Sequence, residues 1–404
     1  MVLEDFKNEL QGFITEKFSN DFFLGFSSHQ KYGIQNDGFL SNSYSIEVPK
    51  KVSNHPSELK LEKYKKNILL SKELGITNFA LSLSWEEILP NGDGVIDQTK
   101  IAFYHEVLDY CIANEIEPFV TLFDFNLPLA IEEKGGWLNR EILFWFENYV
   151  AICVTTFKDK VNHWIVINQP SVLNELNLFI DKRSISKVNL NKFLPTVHHY
   201  LLCQSIGFKK IKQICPQTQV GTIFSCHYVT SKTILEKDIK ATERMDALLN
   251  KVFLEPTLGL GYPIKLMPSL KKIFKYFQFG DSDLLKVDFD FISINKCSSE
   301  VVVYDLFTSY INARIVKFGL INSNNEPLEF ELYTKLIYQI INKYSKYEGI
   351  KKIFIIENNI SFFEKTIQLN EDQTLMITQI KTFLQQISNA KKSGGKVDGF
   401  FVSF

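Results

Sequence analysis

A chain of 404 residues with 45% hydrophobic and 23% charged content has apolar material for a large core, and its length suits one big α/β domain over 1–404. A net charge of -1 gives no electrostatic footprint for a phosphate backbone or an acidic membrane surface, so neither nucleic acid nor a membrane is an expected partner. No run approaches the roughly 18 uninterrupted apolar residues of a spanning helix, the N-terminus does not read as a signal peptide, and the six cysteines lack CxxC or short metal-ligand spacing. A reducing, cytoplasmic setting is expected, with no metal and no cofactor.

In chain order, Leu3 to Phe18 carries Leu3, Phe6, Leu10, Phe13 and Ile14 at amphipathic helical spacing, and the apolar run Phe22 to Ser28 reads as the first strand. A helix of about Glu62 to Leu74 stops at Gly75 and leads into strand Asn78 to Trp85. The same step repeats, with helix Lys100 to Ala113 before strand Glu117 to Phe123 and helix Arg140 to Phe157 before strand His163 to Asn168. Helix Pro195 to Ile214 precedes strand Gln219 to Ser225, and a long irregular region leads to strand Phe289 to Asn295. Helix Leu328 to Tyr347 precedes strand Ile353 to Glu357, and helix Leu375 to Ala390 precedes Val397 to Phe404. Eight apolar strands alternating with helices predict parallel pairing and a closed (β/α)8 TIM barrel. With the sequence ending in the eighth strand, the N-terminal helix is expected to take the eighth helix's place.

In such a barrel the C-terminal strand ends converge on one pocket, and here they are polar. They read His29 and Gln30, Trp85, Asp124 and Asn126, Asn168 and Gln169, Asn295, and Glu357. Trp85 and Trp137 are expected to pack rather than to carry ligand. His198 and His199, adjacent on a helix, point about 100° apart and so cannot share one metal ion.

Long, order-preserving stretches make the family recognisable: LGFSSHQ, KELGITNFALSLSWEEILPNGDG, EIEPFVTLFDFNLPLAIEEKGGWLNRE, HWIVINQP, VHHYLLCQ, ATERMDALLNKVFLEP, FDFISIN and IIENN. The sequence resembles the family 1 glycoside hydrolases of the β-glucosidase type. That resemblance implies a small-molecule carbohydrate partner and a retaining mechanism, with Glu357 as nucleophile, Asn168 on the sugar 2-hydroxyl, and Gln30, Asp124 and Asn295 around the sugar.

The departures from the family pattern cluster in the catalytic centre. Gln169 stands where the family has its acid/base glutamate, and a carboxamide cannot protonate a leaving oxygen. Ala80 replaces an arginine that supports the nucleophile, Cys297 replaces a tyrosine that hydrogen-bonds it, and Asp124 replaces a sugar-binding histidine. Lys31 and Tyr32 follow Gln30 in place of the family's aliphatic residue and glutamate, and the family's terminal WSLLDNFEW-type loop is not found. The functional expectation is a retaining β-glycosidase scaffold with altered or lost hydrolysis, serving activated O- or S-glycosides if active. A non-catalytic carbohydrate- or protein-binding pseudo-glycosidase, and altered chemistry on an anionic or nucleotide-linked sugar, are the alternatives.

Overall fold

The computed structural model describes residues 2–19, 21–28, 57–124, 126–168, 189–308, 310–317, 330–357 and 373–402. Nine strands run β1 (Phe23–Ser27), β2 (Asn78–Ser82), β3 (Glu117–Phe123), β4 (His163–Asn168), β5 (Gln219–Ser231), β6 (Phe291–Tyr304), β7 (Ala313–Lys317), β8 (Ile353–Glu357) and β9 (Val397–Val402). Eight of them pair in parallel in the order β1-β2-β3-β4-β5-β6-β8-β9 and close back on β1, so the expected (β/α)8 barrel is present. The ninth, β7, lies antiparallel against the far end of β6.

The N-terminal helix Val2–Lys17 packs against helix Gln373–Lys392, which precedes β9, and also reaches helix Ser57–Glu73 between β1 and β2. Leu10 is buried, Gln11 Nε2 donates to the Gly75 carbonyl at 2.7 Å, and Glu9 pairs with Lys381. Because β9 and β1 are neighbours, this is the seat of an eighth barrel helix, filled from the other end of the chain as expected.

Alternation along each strand sends every second side chain inward. The inward set is aromatic at mid-height. Phe119, Phe291, Phe354 and Phe401 form, with Ala80, Ile165, Ile223 and Ile356, a cluster separate from the larger core between strands and helices. Ring centroids stand 4.8 Å apart for Phe291 and Phe354 and 4.9 Å for Phe119 and Phe401, distances at which aromatic pairs attract beyond simple burial. Glycines make the room. A Cβ on Gly25 would strike the Phe401 ring, and one on Gly221 would stand 2.6 Å from the Phe291 carbonyl oxygen as well as against its ring.

Four sequence expectations need correction. Strand β2 ends at Ser82 rather than Trp85, because Ser84 Oγ accepts from Glu87 N and caps a short helix, Trp85–Ile88. Strands β5 and β6 run on to Ser231 and Tyr304, well past the expected ends. The region before β6 holds helix Glu236–Asp246, a π-helical turn Ala247–Lys251, helix Val252–Thr257 and a 3-10 segment Pro268–Tyr276. Finally, Pro195 does not start its helix but lies inside Leu190–Ile214. The missing N–H of Pro195 frees the Asn191 carbonyl four residues earlier, and Tyr276 Oη donates to that oxygen at 3.3 Å.

Candidate active site

Going up the inward positions from the aromatic layer, side chains turn polar toward the C-terminal mouth: Ser27 on β1, Ser82 on β2, Thr121 on β3, Ser225 on β5, and Ser293 and Asn295 on β6. Most are buried, and Asn295 is only 4% exposed. The barrel thus carries an apolar plug below and a polar ring above, and the ring surrounds the strand exits singled out from sequence.

Asn168 reaches this ring through an irregularity. Ile165 of β4 points into the barrel, so strict alternation would send Ile167 inward as well, yet Ile167 belongs to the outer core. Register shifts between Ile165 and Asn168, which places Asn168 beside Ile223 of β5. Such a shift re-aims a side chain at a functional position. The Asn168 amide then donates to Asp124 Oδ1 at 2.5 Å, and Ser82 Oγ donates to Asp124 Oδ2 at 2.7 Å. Asp124 therefore accepts on both oxygens and ties the exits of β2, β3 and β4 together. Asn168 Oδ1 is buried and finds no partner among the described residues, an acceptor left for something else.

Glu357 ends β8 at 2% exposure, with Ile356 before it level with Asn295. The closed strand order sets β8 three strands from β4 and four from β3, so the β8 exit that carries Glu357 lies across the mouth from the exits that carry Asn168 and Asp124. Ala80 lies below in the apolar cluster, 1% exposed, where its methyl packs with the phenylalanine layer. Of the remaining sequence candidates, His29, Gln30, Lys31, Tyr32 and Gln169 lie outside the described residues, as does the side chain of Cys297.

Trp85 is not a pocket wall. It is 1% exposed, stacks on Tyr149 at 5.0 Å and donates its indole N–H to the Gly92 carbonyl. Trp137 is likewise buried, edge-on to Phe123 and Tyr200. Asn126, beyond the β3 exit, donates to Glu86 Oε1 at 3.2 Å, and burial, aided by neighbouring Glu87, raises the Glu86 carboxyl above its ordinary range against that hydrogen bond. The two helix histidines part company as expected. His198 bonds Tyr262 and Asp281, while His199 Nδ1 bonds the Trp137 carbonyl, and burial lowers the His199 pKa to about 4.

Sequence reasoning missed a group on the β5 and β6 extensions. His227 Nδ1 lies 2.8 Å from Ser298 Oγ and 3.4 Å from Glu300 Oε1, and Ser298 Oγ donates to Glu300 Oε1 at 3.0 Å. A signal was present: CHYVTS after Ser225 and SSEVVVY after Cys297 are rich in β-branched and aromatic residues, which favour continued strand.

A closed (β/α)8 barrel carries its active site at the C-terminal strand ends, where Asp124, Asn168 and Glu357 lie. The family model for glycosyl hydrolase family 1 matches residues 29–403, and the chain belongs to that family. Among curated relatives, it is 29% identical over 357 residues to the 6-phospho-beta-glucosidase GmuD of Bacillus subtilis, covering 84% of this chain and 76% of the relative. It is 26% identical over 347 residues to beta-glucosidase A of Thermotoga maritima, again covering 84% and 76%. Among solved structures, a family 1 β-glucosidase from Thermotoga maritima superposes with a TM-score of 0.74 at 23% identity, over 96% of this chain and 88% of the other, a likeness of fold.

Proposed function

We infer that this family 1 barrel is a retaining β-glycosidase for β-glucoside-type substrates whose aglycone departs readily, as an O- or S-glycoside. The carrying observation is the buried residue Glu357 at the β8 exit, with the β4 exit across the mouth carrying Asn168, whose Oδ1 has no partner among the described residues. Glu357 attacks the anomeric carbon, Asn168 holds the 2-hydroxyl, and Asp124 fixes the Asn168 amide while lining the sugar site with Asn295 and Gln30. Gln169 lines the site without giving a proton. The names of the two relatives support a glucose-configured sugar, free or 6-phosphorylated. Free cysteines at positions 111, 153, 203, 215 and 226 support a cytoplasmic setting.

The test is covalent trapping. Incubation with 2-deoxy-2-fluoro-β-glucosides bearing a dinitrophenolate leaving group, free and 6-phosphorylated, is expected to add one glycosyl mass to the intact protein, mapped to Glu357. No adduct with either sugar returns the chain to the carbohydrate-binding pseudo-glycosidase reading, which the amide at position 169 favours.

A further inference from the structure

We propose that His227, set in place by Ser298 and Glu300, is the proton donor and acceptor of this barrel, in the role that Gln169 cannot fill. The proposal rests on the glycosidase reading above. Cys226, its neighbour on β5, lies within hydrogen-bond reach of Tyr344 in the outer helix Phe330–Ser345, so alternation turns His227 the other way, to the side of the barrel mouth. Ser298 sits directly across from it on β6, and Glu300 follows two residues on, on the same face. Its backbone is clamped from the π-helical turn: His227 N donates to Asn250 Oδ1 at 2.9 Å, and Asn250 Nδ2 donates to the His227 carbonyl at 2.8 Å.

With Ser298 Oγ donating to Glu300 Oε1, its oxygen is open to accept from His227 Nδ1–H in the Nδ1-protonated tautomer of the neutral ring. That leaves Nε2 as the exchanging nitrogen, and it has no hydrogen-bond partner among the described residues. The His227 side chain is 19% exposed while that of Glu300 is 7% exposed, so the imidazole faces solvent and its carboxylate support does not. Glu300 Oε2 is buried without a partner among the described residues, a costly arrangement for a purely structural carboxylate.

The sheet register places this ring near the chemistry. Asn295 is level with Ile356, so Glu357 is level with position 296 on β6, while Cys297 is level with Cys226 on β5. His227 is therefore two strands from Glu357 and one to two residues higher, on the order of 10 Å between backbones at about 4.8 Å per strand and 3.3 Å per residue. In the first half-reaction the imidazolium Nε2–H passes its proton to the glycosidic oxygen as the C1–O bond breaks and the bond from Glu357 to C1 forms. In the second, neutral Nε2 takes a proton from water as the water oxygen bonds C1 and the Glu357 ester breaks, which restores both groups.

The test compares phenyl and dinitrophenyl β-glucosides, free and 6-phosphorylated, on wild type, His227→Gln, Glu300→Gln and Ser298→Ala, with thermal melting alongside. For His227→Gln the expected result is a fall in phenyl glycoside kcat/KM of about 10²–10³, less than tenfold on dinitrophenyl glycoside kcat/KM, and little change in melting. Glu300→Gln and Ser298→Ala shift the same ratio in the same direction by about tenfold, and added imidazole restores phenyl glycoside cleavage in His227→Gly. Equal losses on both substrates, or none, overturn the proposal and make the group structural. Trapping at Glu357 with a phenyl rate indifferent to His227 sinks this proposal alone, whereas no trapping in wild type sinks the glycosidase reading and this one with it.

Discussion

The floor of the barrel and its mouth are built on opposite principles. At the floor, Glu117 accepts from Asn162 Nδ2 at 3.0 Å and lies 3.3 Å from His163 Nδ1, and the His163 ring stacks on Phe119 at 4.1 Å. Hydrogen bonding to His163 there lowers the Glu117 carboxyl below its ordinary range. At the mouth, burial raises Glu86, and Asn168 Oδ1 and Ser293 Oγ are buried with no partner among the described residues. The Glu117–His163–Asn162 group at the floor is paired within itself, whereas Asn168 Oδ1 and Ser293 Oγ at the mouth have no partner among the described residues.

The sharpest break in that contrast is Phe354→Ala. Removing a ring that meets Phe23, Phe291, Phe119 and Phe401 is expected to cost about 4 kcal/mol, read as a lower denaturation midpoint. Gly221→Ala comes next at about 3 kcal/mol, because the added carbon meets Phe291 backbone as well as its ring. Either result within 1 kcal/mol of wild type would mean that the aromatic layer does not set the barrel's stability.

Two carboxylates then test the contrast by sign. Glu117 is depressed in the fold, so its stabilisation is present above pH 4.5 and is lost as pH falls through the folded value. Glu117→Gln should therefore cost under about 1 kcal/mol at pH 7, solvent screening included, with the difference from wild type vanishing in acid. Glu86 is raised, so its contribution is fully present below pH 4.5 and is lost as pH rises through the folded value. Glu86→Gln, which keeps an acceptor for Asn126, should gain roughly 0.5 kcal/mol at pH 7 and nothing at pH 3. Equal pH dependence of melting in the two variants would erase the distinction.

The barrel was legible because its signals are local and redundant: each strand is a short apolar run, each follows an amphipathic helix, and the spacing repeats. The exits Asp124, Asn168, Asn295 and Glu357 could be named for the same reason. What could not be read was what depends on register. Nothing in HWIVIN announces that the strand slips between Ile165 and Asn168, and that slip turns the Asn168 amide onto Asp124. The His227–Ser298–Glu300 group escaped because its members meet only through pairing of strands some 70 residues apart, with an irregularity between Ser225 and Cys226 setting which face they share. Trp85 was misplaced at a strand end because its helix is a single turn started by the Ser84 cap.

The central claim is retention through Glu357, and the anomer first released tests it most directly. Proton NMR during cleavage of a dinitrophenyl β-glucoside, free or 6-phosphorylated, is predicted to show the β-anomer of the sugar appearing before mutarotation, and to show nothing with Glu357→Gln. Initial release of the α-anomer, or an unchanged rate in Glu357→Gln, would contradict the account.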